Sequence, residues 1–257
     1  MMRSELGYST RENIYVQGHD LCGEILGHID LGAMAFLQLT GRMPNANEAR
    51  LFNALAITLV EHGITPSAIA ARMTYIGAPE SLQGAVAAGL AGLGTVFAGT
   101  SEGAARILRK AIDGATDNLT PDQRAAAIVA RSAAEGWQIP GFGHPIHRPV
   151  DPRTVRLLAV AEETGFKGRY VELLLAIHRA MEKHKGRPIT LNATGAMGAL
   201  CCELGLPVEA CRGIAVFARA IGLVGHVLEE IRAPMSLELW QKIEHDVSVP
   251  PAQRGKS

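Results

Sequence analysis

Gly141-Phe142-Gly143-His144-Pro145-Ile146-His147-Arg148-Pro149-Val150-Asp151-Pro152-Arg153 packs two glycines, three prolines, two histidines and two arginines into thirteen residues. Each proline fixes φ and removes a backbone donor, so this run is a rigid loop and neither a helix nor a central strand. A rigid loop can hold an imidazole and a guanidinium at a set separation, which a reactive site requires. It can equally be a proline-rich connection whose histidines are merely exposed, and spacing alone leaves both readings open.

Outward from the loop the apolar period is helical. Residues 46–62 carry Ala49, Phe52, Leu55, Ala56 and Leu59 on one face, behind a capping-box pattern of Asn45 and Glu48. Gly63 is placed to end that helix, which sets His62 at the negative end of a helix dipole, an environment that favours the protonated ring. On the N-terminal side, residues 11–18 read as an extended lead-in to a helix from about His19 to Leu39. Thr65-Pro66, Pro79 and Thr120-Pro121 each open a further helix. The one from Pro79, rich in glycine, is expected to be buried at the centre because small residues let backbones approach. Helices follow at about 152–164 and 168–184, and Pro207 opens a long one. Its residues Ile214, Phe217, Ile221, Val224 and Leu228 form one expected buried stripe, with Arg219 and His226 on another face. The tail from Pro250 to Ser257 reads as disordered.

Composition narrows the classes. Lysine plus arginine (25) equals aspartate plus glutamate (25), so nothing points to nucleic acid or a charged membrane surface. Arg3, Glu5, Arg11 and Glu12 interrupt any early apolar run, no stretch reads as a bilayer span, and the chain is expected to be cytoplasmic. Cys22, Cys201, Cys202 and Cys211 lack metal-ligand spacing and read as small buried residues. His144 and His147 lack further ligands nearby, so no metal is expected. No P-loop and no strand-linked GxGxxG is present.

The central loop resembles the G-F-G-H-x-x-x-x-x-x-D-P-R signature of the citrate synthase superfamily, whose His and Arg face the substrate. The block F217-A-R-A-I-G-L-V-G-H-V-L-E-E230 is similar to its S-R-x-x-G-x-x-G-H-x-x-E element. E61-H-G-I-T-P-S-A68 resembles the branch that includes citryl-CoA lyase and the C-terminal module of ATP-citrate lyase. The resemblance implies an all-α, citrate synthase-like fold: a large helical domain from residues 1–98 and 203–257, an inserted small helical domain from 99–202, and a cleft between them. It also implies a homodimer, a polycarboxylate and an acyl-CoA as small-molecule partners, and a coenzyme A thioester as substrate or product with no permanently bound cofactor.

By the same resemblance His62 and His144 are catalytic, and Arg153, Arg219 and, with weaker alignment, Arg232 bind substrate carboxylates. The sequence departs from the family at two places. Ser101 stands where many citrate synthases have a histidine, and Thr194 stands at the family aspartate in L191-N-A-T-G195. A hydroxyl is too weak a base to replace a carboxylate, which leaves Glu102 as a substitute to consider. Three functions follow as expectations: a lyase cleaving citryl-CoA or a relative to acetyl-CoA and an oxo acid, a citrate synthase-type acyltransferase running the condensation, and a non-catalytic CoA- and polycarboxylate-binding homologue.

Overall fold

The computed structural model describes residues 4–248, so Arg3 and the tail Pro250–Ser257 lie outside the described residues. The fold is all-α, with eleven α-helices and three short strands among the described residues. The strands, β1 (Gly7–Ser9), β2 (Ile14–Val16) and β3 (His19–Asp20), form one antiparallel sheet in that order. Tyr8 pairs with Tyr15 across it, their rings stacked at 4.8 Å.

The single helix expected over His19–Leu39 does not form. The Asp20 carboxylate accepts N–H groups of Cys22 and Gly23 (2.9 and 3.0 Å) and starts one π-helical turn, Leu21–Ile25. Gly27, at φ +81°, then breaks the chain, and Asp30 caps a new helix, α1 (Leu31–Thr40), through the Ala33 N–H at 2.7 Å. Helix α2 (Ala46–Val60) opens with the expected reciprocal cap: Asn45 Oδ1 accepts the Glu48 N–H (2.9 Å) and Glu48 accepts the Asn45 N–H (2.8 Å). Arg42 donates through both Nη atoms to the same Glu48 (2.9 and 2.6 Å), which holds that carboxyl below its usual range.

Helix α3 (Pro66–Gly77) starts behind Thr65, as its Thr-Pro pair requires. Helix α4 (Leu82–Ala91) starts at Ser81, whose hydroxyl accepts the Gly84 N–H, and not at Pro79. Only Ala85 and Gly89 of α4 are buried, so this is not the central helix its glycines suggested. A π-helical turn, Gly94–Ala98, separates it from α5 (Gly99–Ile112). Then come α6 (Pro121–Glu135), α7 (Pro152–Glu163), α8 (Arg169–Lys185), α9 (Ala193–Glu203), α10 (Val208–Arg232) and α11 (Ser236–Val247).

The central role belongs to α9, nine of whose eleven residues are buried. A Cβ at Gly198 would lie 2.6 Å from the Ser101 carbonyl oxygen and 2.8 Å from Ala104 Cβ, so the backbones of α5 and α9 touch where only glycine fits. Helices α7 and α8 pack on the same helix, and α6 packs on α8.

The chain forms two compact units. One comprises Met1–Leu59 and Ala98–Ala215, and the other Val60–Phe97 and Val216–Ser257. In the second, α3 packs against α4 and α11. Helix α11 was not anticipated from the sequence.

The expected stripe on α10 is only partly buried. Ile214 is inaccessible, but Ile221 and Leu228 are 48% and 54% exposed. In this half of the helix the buried face carries Arg219, Leu223, His226, Val227 and Glu230 instead. The membrane reading also changes: α10 is 25 residues long with a mean hydropathy of 1.5 over its most apolar window, long and apolar enough to cross a bilayer by composition, although half of that window is buried within the protein. Cys201, Cys202 and Cys211 are buried as expected, with burial pushing the Cys202 thiol up to about 12, whereas Cys22 is exposed.

Candidate active site

Two segments, 141–153 and 189–195, are stitched together by the backbone. Phe142 and Leu191 form an antiparallel bridge, Gly143 donates to the Thr190 carbonyl (2.7 Å), and Asn192 donates to the Gly141 carbonyl (3.0 Å). Side chains add to this. Asn192 Nδ2 donates to the Gly143 carbonyl (2.8 Å) and Thr190 Oγ1 to that of His147 (3.1 Å). At the crossing, a Cβ on Gly141 would lie 2.5 Å from Gly195 Cα, and Gly141 itself sits at φ +93°. Glycine at 141 is therefore required twice over, by conformation and by contact.

Asp151 organises what this scaffold presents. It is fully buried, and its carboxylate accepts the Arg153 N–H (3.0 Å), capping α7, and the Ala193 N–H (3.0 Å) at the start of α9. It also receives Arg153 Nε (3.0 Å) and Nη2 (2.8 Å) as a fork. Burial alone would raise its pKa, but Arg153 and the Ala193 N–H outweigh that and hold the carboxyl below the ordinary range.

The His144 ring is oriented by its own loop, with Nδ1 accepting the N–H groups of Ile146 (3.1 Å) and His147 (2.9 Å). The neutral ring therefore carries its proton on Nε2. Arg153 Nη2 lies 3.2 Å from that atom. An imidazole and a guanidinium side by side are groups that can each donate to an anionic oxygen. The His147 ring stacks on His144 at 4.5 Å. Thr194, half-buried in the first turn of α9, donates its hydroxyl to Asn192 Oδ1 at 2.7 Å.

Beside His144 a pocket of about 540 Å³ is lined by Trp137, Phe142, Arg148, Lys185, Arg187 and Thr190, among others. Aromatic rings and three cations in one recess suit a ligand with a flat ring and anionic groups.

The structure thus brings His144, Arg153 and Thr194 together in one unit. His62, Arg219 and Arg232 belong to the other. His62 is half-buried two residues beyond α2, Arg219 is buried in α10, and Arg232 is exposed in its last turn. Glu102, the substitute base considered, is engaged by two cations, pairing with both Arg106 (2.8 Å) and Arg212 (2.7 Å). Asp151 stands in the quoted D-P-R motif, a signal in the sequence that does not by itself specify a role. Arg72, described below, stands in an ordinary helical run and had none.

Residues 16–240 match the family described as citrate synthase, C-terminal domain, and the chain belongs to the citrate synthase family. Within that family it is similar to the citryl-CoA lyase of Hydrogenobacter thermophilus, at 27% identity and a TM-score of 0.86 over 97% of this chain and 94% of that one. It is 26% identical to a probable ATP-citrate synthase of Dictyostelium discoideum, over 74% of this chain and 32% of that protein. It is also 26% identical to a citrate synthase of Haloferax volcanii, over 75% of this chain and 49% of that protein. The chain spans about a third to a half of the length of these curated relatives.

Proposed function

We propose that this protein is a citryl-CoA lyase-like enzyme that cleaves citryl-CoA, or a related 3-hydroxyacyl-CoA, to acetyl-CoA and an oxo acid such as oxaloacetate. The observation that carries this reading is the convergence of His144 Nε2 and Arg153 Nη2 at 3.2 Å beside a cationic, aromatic-lined pocket. The similarity to a citryl-CoA lyase over nearly the whole of both chains supports a lyase-type enzyme, and the same groups would serve the condensing direction.

In the proposed reaction a base takes the proton of the substrate's tertiary hydroxyl and the carbonyl of the oxo acid forms. The carbon–carbon bond breaks, and its electron pair passes to the thioester as an enolate. A proton then adds to the enolate carbon to give acetyl-CoA. We assign the hydroxyl proton and the enolate oxygen to the histidines His62 and His144, and the substrate carboxylates to Arg153 and Arg219, with Arg232 as a further cation. The pocket cations Arg148, Lys185 and Arg187 would meet the phosphates of the CoA thioester. The exposed apolar residues Leu228, Ile231, Leu237 and Trp240 support self-association as a homodimer.

The enolate carbon is the weak point, because Thr194 already donates its hydroxyl to Asn192 and has no accessible pKa for that proton. The expected result is slow citryl-CoA cleavage by the natural chain. Thr194→Asp should raise kcat roughly a hundred- to ten-thousand-fold with little change in apparent affinity. Steady-state assays in both directions decide it: ordinary rates in the natural chain, with no gain from the aspartate, would remove Thr194 from the account of the proton.

A further inference from the structure

Five side chains of the second unit carry a polar chain that the proposed chemistry does not itself use. Arg72 on α3 is 1% exposed, and its Nε and Nη2 lie 3.1 and 3.0 Å from His226 Nδ1 on α10. Its Nη1 donates to Glu230 (2.8 Å), and its Nη2 also pairs with Glu229. Glu230 in turn accepts the N–H groups of Met235 and Ser236 (3.0 and 2.9 Å), which fixes it to the start of α11. An arginine can only donate, so His226 Nδ1 must accept, and the proton of the neutral ring stands on Nε2. That atom lies 3.1 Å from Glu61. Glu61 Oε1 also accepts the backbone N–H groups of His62 (2.8 Å) and Gly63 (2.6 Å), just past the end of α2.

We infer that Arg72, His226 and Glu61 are positioning residues, a buried polar relay whose end point is the backbone of His62. The inference rests on the reading of His62 as catalytic. Its physical basis is the distribution of burial along the chain. Arg72, His226 and Glu230 are all under a tenth exposed, whereas the Glu61 side chain is 48% exposed. Joining α3 to α10 does not call for three buried polar groups, since well-packed apolar residues do the same at lower desolvation cost. Here those groups orient one carboxylate, and that carboxylate grips two successive amides. Gly63 takes φ +73°, so the chain turns sharply just after His62, and the grip of Glu61 sets where that turn places the imidazole. Burial would raise the Glu61 pKa, but the two backbone N–H groups and His226 hold it below the ordinary carboxylate range, in the accepting form.

The test uses the full chain with citryl-CoA as substrate, and compares His62→Ala, Glu61→Ala, Glu61→Gln and His226→Ala. Misplacement of a reacting group by about 1 Å costs on the order of a hundredfold. Glu61→Ala and His226→Ala should therefore lower kcat roughly ten- to a hundredfold, with KM within about twofold. Glu61→Gln keeps an oxygen for the two amides and should recover most of the rate. Hydrogen exchange, followed residue by residue by NMR, should quicken at the His62 and Gly63 amides in both alanine variants. A dead His62→Ala beside an unimpaired Glu61→Ala would overturn the inference alone. So would a Glu61→Gln as impaired as the alanine variant, because a merely structural ion pair would show that pattern. An active His62→Ala would overturn the assignment of His62. In that case, or if no variant turns over citryl-CoA, unchanged exchange at those two amides would overturn the relay and faster exchange would sustain it.

Discussion

Arg153 shows how a charged residue is made ready for an anion before the anion arrives. Asp151 takes its Nε and Nη2 and so fixes the plane of the guanidinium, while the same carboxylate holds the first turns of α7 and α9. Arg153→Ala should weaken binding of citrate or oxaloacetate by about 2–4 kcal/mol, roughly thirty- to several-hundred-fold, as should Arg219→Ala. Calorimetric titration checks both, and unchanged affinity would remove the arginine concerned from the site. The loop residues were legible in the sequence because prolines and glycines announce a fixed backbone. The tasks of Asp151 and Arg72 were not, since a carboxylate or guanidinium reads the same on a solvated face and in a buried network. Only the folded chain distinguishes them. Glu102 errs in the other direction: near Thr194 in expected function, it is spent on Arg106 and Arg212. Glu102→Gln should accordingly alter stability and leave turnover within about twofold, since Gln retains the shape and loses only the exposed ion pairs.

Among the elements, those with explicit end signals were readable. Asn45 with Glu48, Thr65 with Pro66 and Thr120 with Pro121 all start helices as the sequence predicts. Asn45→Ala should cost about 1 kcal/mol, read as a shift in denaturant midpoint at unchanged slope. The N-terminal stretch was misread because Asp20 and Asp30 are both good caps, and two caps ten residues apart divide one apolar run into two pieces. Helix α10 was misread for a different reason. A stripe of Ile, Phe, Val and Leu predicts the buried face only when no polar residues compete for it, and here the Arg72–His226–Glu230 network takes that face in the second half of the helix. The all-α fold survived both errors, because helical period is a property of many residues and burial of a particular face is a property of few.

For the molecule as a whole, several carboxylates are held below their ordinary range: Glu48 by Arg42, Asp151 by Arg153 and the Ala193 N–H, and Glu61 and Glu230 by backbone N–H groups and their cationic or imidazole partners. A depressed folded pKa means the unfolded chain binds protons first as pH falls. The stability these groups contribute is present above about pH 4 and is lost as pH drops through the folded values. Thermal unfolding should therefore give a flat midpoint from about pH 6 to 8 and a steep fall below about pH 4. In Asp151→Asn that acid slope should be shallower. A slope unchanged by the substitution would show that Asp151 titrates alike in the folded and unfolded chain.

The stitching of 141–153 to 189–195 bears on where a protease can enter. By exposure alone Ile146, 73% accessible, and Val150, 57%, offer thermolysin better cleavage points than Leu119 at 44%. Cleavage, however, needs a length of chain peeled from its neighbours and drawn straight through the protease cleft, and accessible area does not measure that. Around Ile146 the peeling would break the Ile146 and His147 amides from His144, Thr190 from His147, and Asn192 from Gly143. Leu119 lies in the exposed connection between α5 and α6, held by its own contact to Asp117 and the adjoining cap. The first nick should fall between Asn118 and Leu119, leaving two fragments that stay associated, and the proline-rich loop should be cut only after the chain has unfolded.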